Sequence, residues 1–518
     1  RVSNDGVVLV QVMEAAGRAA GGWRVQGHLA VLYSFVFWSQ FKPSEPFLVD
    51  YLVDSKGFTN HEVFQLVFPL YVYARMPFNA LVGVLSELPC CSARGVLVAG
   101  GVCSLATAIL TRFTATLWFQ QGAQFTVAAT FASRYAVAAV AFALTPPAHF
   151  QRSIHTVRAT LLLSNCCSAL LGEVLRDETG IPLSVLFDID LVSQSLALLS
   201  AFLLVVLSCT ASLTPPPVLE APMSRTWVSV AEVAEAAAAP PAPRTPSGCA
   251  RAKASAKDLW LYFRLRCVVW WTVWAIAMNT THGLALTYWQ NLLREKGVRH
   301  DHNGYLSASM YLAAAVLTAA SRQSSLLRGH TSALIVASLL SSGILLCMVV
   351  ISTHQLAFYG WLLLFQCNFE VMTAVATYQA GAEVSEFCSV GVSYIAEVSW
   401  DATSRPKDQQ RSQCGRLLSP CSARLTLLFS ATGILSGASE TVVQAAVSST
   451  WRSMGPRFLC LGFGLGGLAI LLVAARGLEE LAAWRWRRRS SSSLGVGNGT
   501  QAANAILGSS PQVPLRPS

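Results

Sequence analysis

The chain is 518 residues long, 53% hydrophobic and only 12% charged, with a formal net charge of +10. Soluble proteins carry about 25% charged residues. Half that value leaves too little charge to coat a water-facing surface of this size, which excludes a water-soluble globular protein. The apolar excess belongs instead to helices that face lipid.

A helix needs roughly 20 apolar residues to cross the hydrocarbon core. Taken in order, such stretches lie at 28–48, 63–86, 95–114, 116–144, 154–175 and 182–208. A second set lies at 262–288, 303–322, 331–352, 356–380, either 385–400 or 424–448, and 457–475. Unpaired backbone groups are costly in lipid, so each span is expected to be helical. Patterns of barrel type are absent. The sequence therefore predicts an all-α polytopic membrane protein of major-facilitator type, with about twelve transmembrane helices in two six-helix halves.

The halves run over 28–210 and 259–476, separated by a cytosolic linker at 211–258. The linker holds Pro215, Pro216, Pro217, Pro240 and Pro241, and its low hydrophobicity reads as disorder. Short loops set the orientation. The linker carries Arg225, Arg244, Arg251, Lys253 and Lys257, and the tail 477–518 carries Arg485, Arg487, Arg488 and Arg489. Asp50, Asp54 and Glu62 face a single Lys56 after the first span. Both termini, the segment 1–27 included, are thus expected in the cytosol, with the plasma membrane as host. The tail arginines directly follow an apolar span, so they read as a membrane flank and not as a nucleic-acid patch. The chain opens on Arg1 and not on methionine, as a fragment would.

Several motifs carry no chemistry. Gly462, Gly464, Gly466 and Gly467 lie inside an apolar span, where close helix packing explains them better than a dinucleotide loop. The sequons at Asn279 and Asn498 fall within a span and in the cytosol, so neither is expected to be glycosylated. Fourteen cysteines, including Cys90–Cys91 and Cys166–Cys167, show no metal-ligand spacing. No catalytic motif, cofactor loop or metal site is found, and no enzyme is expected.

Charge inside a span is costly and marks a site by default. Arg134 lies in mid-span, too far from either end to snorkel easily. It reads either as the ligand of an anionic substrate or as half of an internal ion pair with Asp188 or Asp190. Glu45 lies between Pro43 and Pro46, which should break the first helix beside a carboxylate. Arg75 and Glu370 read as structural pairing groups. Tyr71, Tyr73, Trp270, Trp271, Trp274, Tyr288 and Trp289 offer rings to a flat ligand, or simply pack.

The string Phe41-Lys42-Pro43-Ser44-Glu45-Pro46-Phe47, with Tyr51-Leu52, resembles the opening helix of the reduced folate carrier and thiamine transporter family, solute carrier family 19. Arg134 with Phe150-Gln151-Arg152 and Arg158-Ala159 is similar to its fourth and fifth helices. His302-Asn303-Gly304 looks like its Tyr-Asn-Gly, and Ala376-Thr377-Tyr378-Gln379 like its Ala-Thr-Phe-Gln. The resemblance runs from about residue 25 to 395 and resumes near 440.

This resemblance implies the major-facilitator fold and uptake of folate or thiamine by alternating access, coupled to a proton or an organic anion. It implies substrate contacts at Glu45, Tyr71, Gln124, Arg134, Asn303 and Gln366. Gln124 stands where the family usually has a glutamate, and Gln366 where folate carriers have a basic residue. Arg134 suits the carboxylates of folate and repels cationic thiamine, whereas Gln444 and the Lys-Pro-Ser-Glu-Pro-Phe string resemble the thiamine branch. A reduced folate or related anionic vitamin is expected. The alternatives are thiamine and a carrier-derived receptor or scaffold that no longer transports. Residues 397–438 depart from the family pattern and read as an insertion or a retained intron.

Overall fold

The computed structural model describes residues 26–59, 61–87, 92–146, 149–213, 263, 266–296, 303–322, 331–351, 354–400, 407–450 and 453–493. The proline-rich linker, Asn498 and Cys90–Cys91 lie outside the described residues. Long helices follow one another with no strand among the described residues. They are α1 (26–40), α2 (Phe68–Glu87), α3 (Ala93–Phe113), α4 (Leu117–Leu144), α5 (Phe150–Asp177) and α6 (Leu183–Leu213). The second set is α7 (Arg266–Glu295), α8 (Asn303–Ser321), α9 (Thr331–Val350), α10 (Gln355–Trp400), α11 (Lys407–Thr450) and α12 (Met454–Ser493). Eight of these helices are long and apolar enough to cross a membrane.

Local sequence explains where the helices stop. Ser92 caps α3 by accepting the Gly95 amide at 3.3 Å. Helix α1 ends before Pro43, which cannot donate into the helical ladder. The chain then makes a 3-10 turn at Glu45–Phe47 and a π-type turn at Tyr51–Ser55 before α2. The span expected at 28–48 is therefore shorter and broken at its end. Helix α4 has its own interruption: Leu117–Ser133 and Tyr135–Leu144 meet at Arg134.

Of the two places open for the eleventh crossing, Leu425–Val447 is the apolar one. The last part of the stretch 397–438 belongs to it. Leu425 and Leu428 are 1% exposed and join a core cluster with Phe142 and Phe150 of the first half. Ser430 packs against the spot where a Gly83 side chain would stand, 3.2 Å from a Cβ there.

The two halves meet chiefly along α5 against α8 and along α2 against α11. Along α5, His155 Nδ1 lies 3.1 Å from the Thr318 carbonyl at one end, and Glu173 accepts the Gly304 amide at 3.1 Å at the other. The halves also approach closely at the end where α6 stops and α7 begins. There a Cβ on Gly381 of α10 would come within 2.2 Å of the Phe142 ring of α4. Farther along, beside Arg134, a Cβ on Gly433 of α11 would meet Tyr135 at 2.5 Å. Val384 is fully buried in the same cluster.

Small residues permit close approach elsewhere too. Gly462 and Gly466 of α12 pack on Ser342 of α9, whose hydroxyl donates to the Gly462 carbonyl at 2.7 Å. Gly464 and Gly467 of the same run meet no neighbour within 4 Å, so only half of it serves helix packing. Gly172 of α5 lies under the α1 break, where a Cβ would stand 2.4 Å from the Pro43 carbonyl oxygen. That neighbour is backbone and cannot swing away. Gly172→Ala should therefore cost about 1–3 kcal/mol through overpacking, read as a lower melting temperature of the detergent-purified protein. An unchanged melting temperature would contradict the packing.

Candidate functional site

The site is built where the α1 break, α2 and the α4 interruption face α5, α10 and α11. Arg134 lies at its centre. Its guanidinium carbon sits 3.7 Å from the centroid of the Phe131 ring, one turn earlier. Its Nε is buried and finds no acceptor among the described residues. Glu45, Tyr71, Arg75 and Arg158 lie within its electrostatic reach. An arginine cannot shed its charge, and this one keeps a buried Nε–H without an acceptor among the described residues.

The internal pairs foreseen for Arg134 do not form. Asp188 is taken by Arg112 of α3 in a two-pronged contact, 2.7 Å from Nε and 3.2 Å from Nη2. Asp190 accepts the hydroxyl and, at 3.4 Å, the amide of Ser44. Both carboxylates are spent on other helices, because α6 turns them toward α1 and α3.

Two ion pairs flank Arg134, and each ties one half to the other. Arg75 of α2 bonds Glu440 of α11 at 3.0 Å. Arg158 of α5 bonds Glu370 of α10. Arg75 and Glu370 thus have the structural partners expected of them. Gln366 extends the second pair: its amide donates to Glu370 at 2.8 Å and its carbonyl lies 2.7 Å from His282 Nε2. Since that carbonyl only accepts, His282 Nε2 carries the proton. The His282 ring stacks on Phe369 at 3.5 Å and 10°, while Arg158 covers Phe369 at 5.9 Å.

The expected site residues divide accordingly. Glu45 stands exposed in the 3-10 turn. Tyr71 makes an edge contact with Phe131 at 5.2 Å and lies under Arg75 at 5.7 Å. Glu45, Tyr71 and Arg134 are therefore brought together. Gln366 is 1% exposed and committed to the His282–Glu370 network. Gln124 is buried ten residues before Arg134, about 15 Å away along the helix axis, and does not join the cluster. Asn303 begins α8, but its side chain lies outside the described residues.

Sequence reasoning missed Glu440 and His282. Both are ionisable groups inside a span, the signal that singled out Arg134. Glu440 escaped because the eleventh span had two possible places. No group of three or more His, Cys, Asp or Glu among the described residues could hold a metal ion.

Two helical halves, with charged groups of both meeting between them, have the architecture of the major facilitator fold. Solved structures agree on the fold. The human organic anion transporter MFSD10 matches with a TM-score of 0.52 at 14% identity, covering 86% of this chain and 97% of that one. The transporter FucP matches with a TM-score of 0.51 at 12% identity, with the same coverage.

The model of the reduced folate carrier family matches residues 21–390, and the chain belongs to that family. Its relatives include a folate-like transporter of Dictyostelium discoideum, 24% identical over 54% of this chain and 42% of the relative. Human thiamine transporter 2 is 27% identical over 34% of this chain and 35% of the relative. The rat reduced folate transporter is 24% identical over 69% of this chain and 70% of the relative. The chain thus aligns with well under half the length of the first two.

Proposed function

We propose that this protein carries a vitamin of the folate or thiamine group across a membrane by alternating access, with a reduced folate or related anionic vitamin as the preferred substrate. The observation that carries the reading is Arg134, a buried guanidinium between the halves whose Nε lacks an acceptor among the described residues. A substrate carboxylate would supply that acceptor, in a charge-assisted bond that arginine makes better than any other side chain. Glu45 would engage amino groups on the substrate's ring system, and Tyr71 and Phe131 offer it flat apolar surface. Thiamine, a cation, would have to approach Arg134 without a carboxylate to offer. The receptor or scaffold alternative is not favoured, because the cross-half ion pairs that an alternating carrier would exchange are intact.

In this reading twelve helices cross the plasma membrane and both termini lie in the cytosol. The linker end then faces the cytosol and the vitamin enters from outside. A proton or organic anion gradient supplies the driving force.

Uptake of radiolabelled folate and thiamine into proteoliposomes, with and without a pH or anion gradient, tests the proposal. Saturable folate uptake that exceeds thiamine uptake supports it. Absence of saturable uptake of either vitamin rejects it.

A further inference from the structure

The break in α1 leaves backbone groups that a continuous helix would have paired. Helix α6 pairs them. Gln194 donates to the Trp38 carbonyl at 3.3 Å, and Ser193 donates to the Phe41 carbonyl at 2.6 Å. Asp190, one turn earlier, accepts both the amide and the hydroxyl of Ser44. The first two are neutral groups that stay as they are at any physiological pH. Asp190 is different: it is a carboxylate, 6% exposed, inside a membrane helix. A carboxylate inside a membrane span marks a functional site by default.

Its surroundings leave it free to change. On α1, Lys42 and Glu45 lie within its electrostatic reach with opposite effects, and neither forms an ion pair with it among the described residues. On α4, Arg134 lies in range of Lys42. On α6 itself, Asp188 is neutralised by Arg112 of α3. On α5, Glu173 is engaged by the Gly304 amide of α8. The groups bonded directly to its carboxylate are the two donors of Ser44. Ser44 is the residue immediately before Glu45, which lies within electrostatic reach of Arg134.

We propose that Asp190 is a proton-binding site that locks and releases the α1 break. The ionised carboxylate accepts both Ser44 donors and clamps the break. A proton taken up by the carboxylate turns one acceptor oxygen into a donor. The neutral acid can hold Ser44 only through uncharged bonds, with the Ser44 hydroxyl turned into an acceptor, and the weakened clamp lets the turn carrying Glu45 move relative to Arg134. Proton binding on α6 and substrate binding between the halves are thereby coupled through a single backbone turn. The inference rests on the transport reading for its purpose, but the proton site is testable without it.

Hydrogen–deuterium exchange of the full-length purified protein in lipid nanodiscs, without substrate, reads the lock directly. After correction for intrinsic rates, protection of the 41–47 segment should fall by about tenfold or more on acidification, as expected for losing a bond to a charged group. Asp190→Asn, which mimics the neutral acid, should show low protection that no longer changes with pH. Should Asp190→Asn fail to fold, Ser44→Ala removes one donor and keeps the carboxylate. Its transition should then shift to higher pH, since the ionised form has lost support. Protection that is independent of pH in the unaltered protein, a normal pH response in Asp190→Asn, or an unshifted transition in Ser44→Ala each overturns the proposal. If the exchange transition is present and no vitamin uptake is found, the transport reading fails and the proton site stands.

Discussion

Arg134→Glu should abolish saturable folate uptake while leaving the protein folded and in the membrane. The two halves of that expectation come from the same geometry. The guanidinium rests on Phe131, and its Nε has no acceptor among the described residues, so little of the fold depends on it. What it offers a bound carboxylate is a charge-assisted bond worth about 1.5–3 kcal/mol. Removing that bond in Arg134→Ala should lower uptake efficiency roughly 10- to 150-fold, since each 1.4 kcal/mol is a factor of ten. Reversing the charge adds repulsion and should take uptake below detection. Lysine keeps the charge but loses the planar fork, so Arg134→Lys should fall between wild type and alanine. Uptake of labelled folate, normalised to protein in the membrane, measures the series. Unchanged uptake in Arg134→Glu would remove Arg134 from the site. A variant that gains thiamine uptake while losing folate would show that this position sorts the two vitamins by charge.

Glu440→Ala should be the most destabilising of the charge deletions. The Glu440 side chain is 5% exposed and that of Arg75 17%, so deleting the carboxylate leaves a cation in a dry interface. Breaking a buried pair from one side costs about 3–5 kcal/mol. Removing both partners should cost far less, because no charge is then left uncompensated. Thermal unfolding of purified Glu440→Ala, Arg75→Leu and the double variant Arg75→Leu with Glu440→Leu forms the test. The double variant should be more stable than Glu440→Ala. If Glu440→Ala melts with the unaltered protein, the pair does not hold α2 to α11. The Arg158–Glu370 pair offers the parallel experiment on α5 and α10, with Gln366 and His282 as additional supports.

Much of the architecture was legible because the membrane imposes it. A chain with 12% charge has to hide its backbone in helices, and those helices have to be long. Pro43 and Pro46 announced the break of α1, since proline cannot take part in the ladder wherever it falls. Gly462 and Gly466 of α12 are packing positions, as read, whereas Gly464 and Gly467 meet nothing within 4 Å; a dinucleotide loop needs a preceding strand, and none lies among the described residues. The eleventh helix was harder. Hydropathy alone does not separate a polar insertion from a span that buries its polar residues against a partner. Thr426 and Ser430 are nearly inaccessible, and Glu440 is paired with a residue 365 positions away.

By itself, the sequence determined the membrane class, the family resemblance and the identity of the groups that carry charge into the bilayer. These depend on composition and local spacing, which are properties of the chain. The tertiary structure decided which charges were spent. Asp188 and Asp190 looked available to Arg134 on the page, yet α6 turns one to Arg112 and the other to Ser44. Arg75, Arg158 and Arg134 are one residue type in similar apolar settings, yet two are paired across the halves and the third lacks an acceptor at Nε. A pairing depends on which helix faces cross and at what height. Distances between residues hundreds of positions apart are set by packing the whole bundle, and no local pattern encodes them.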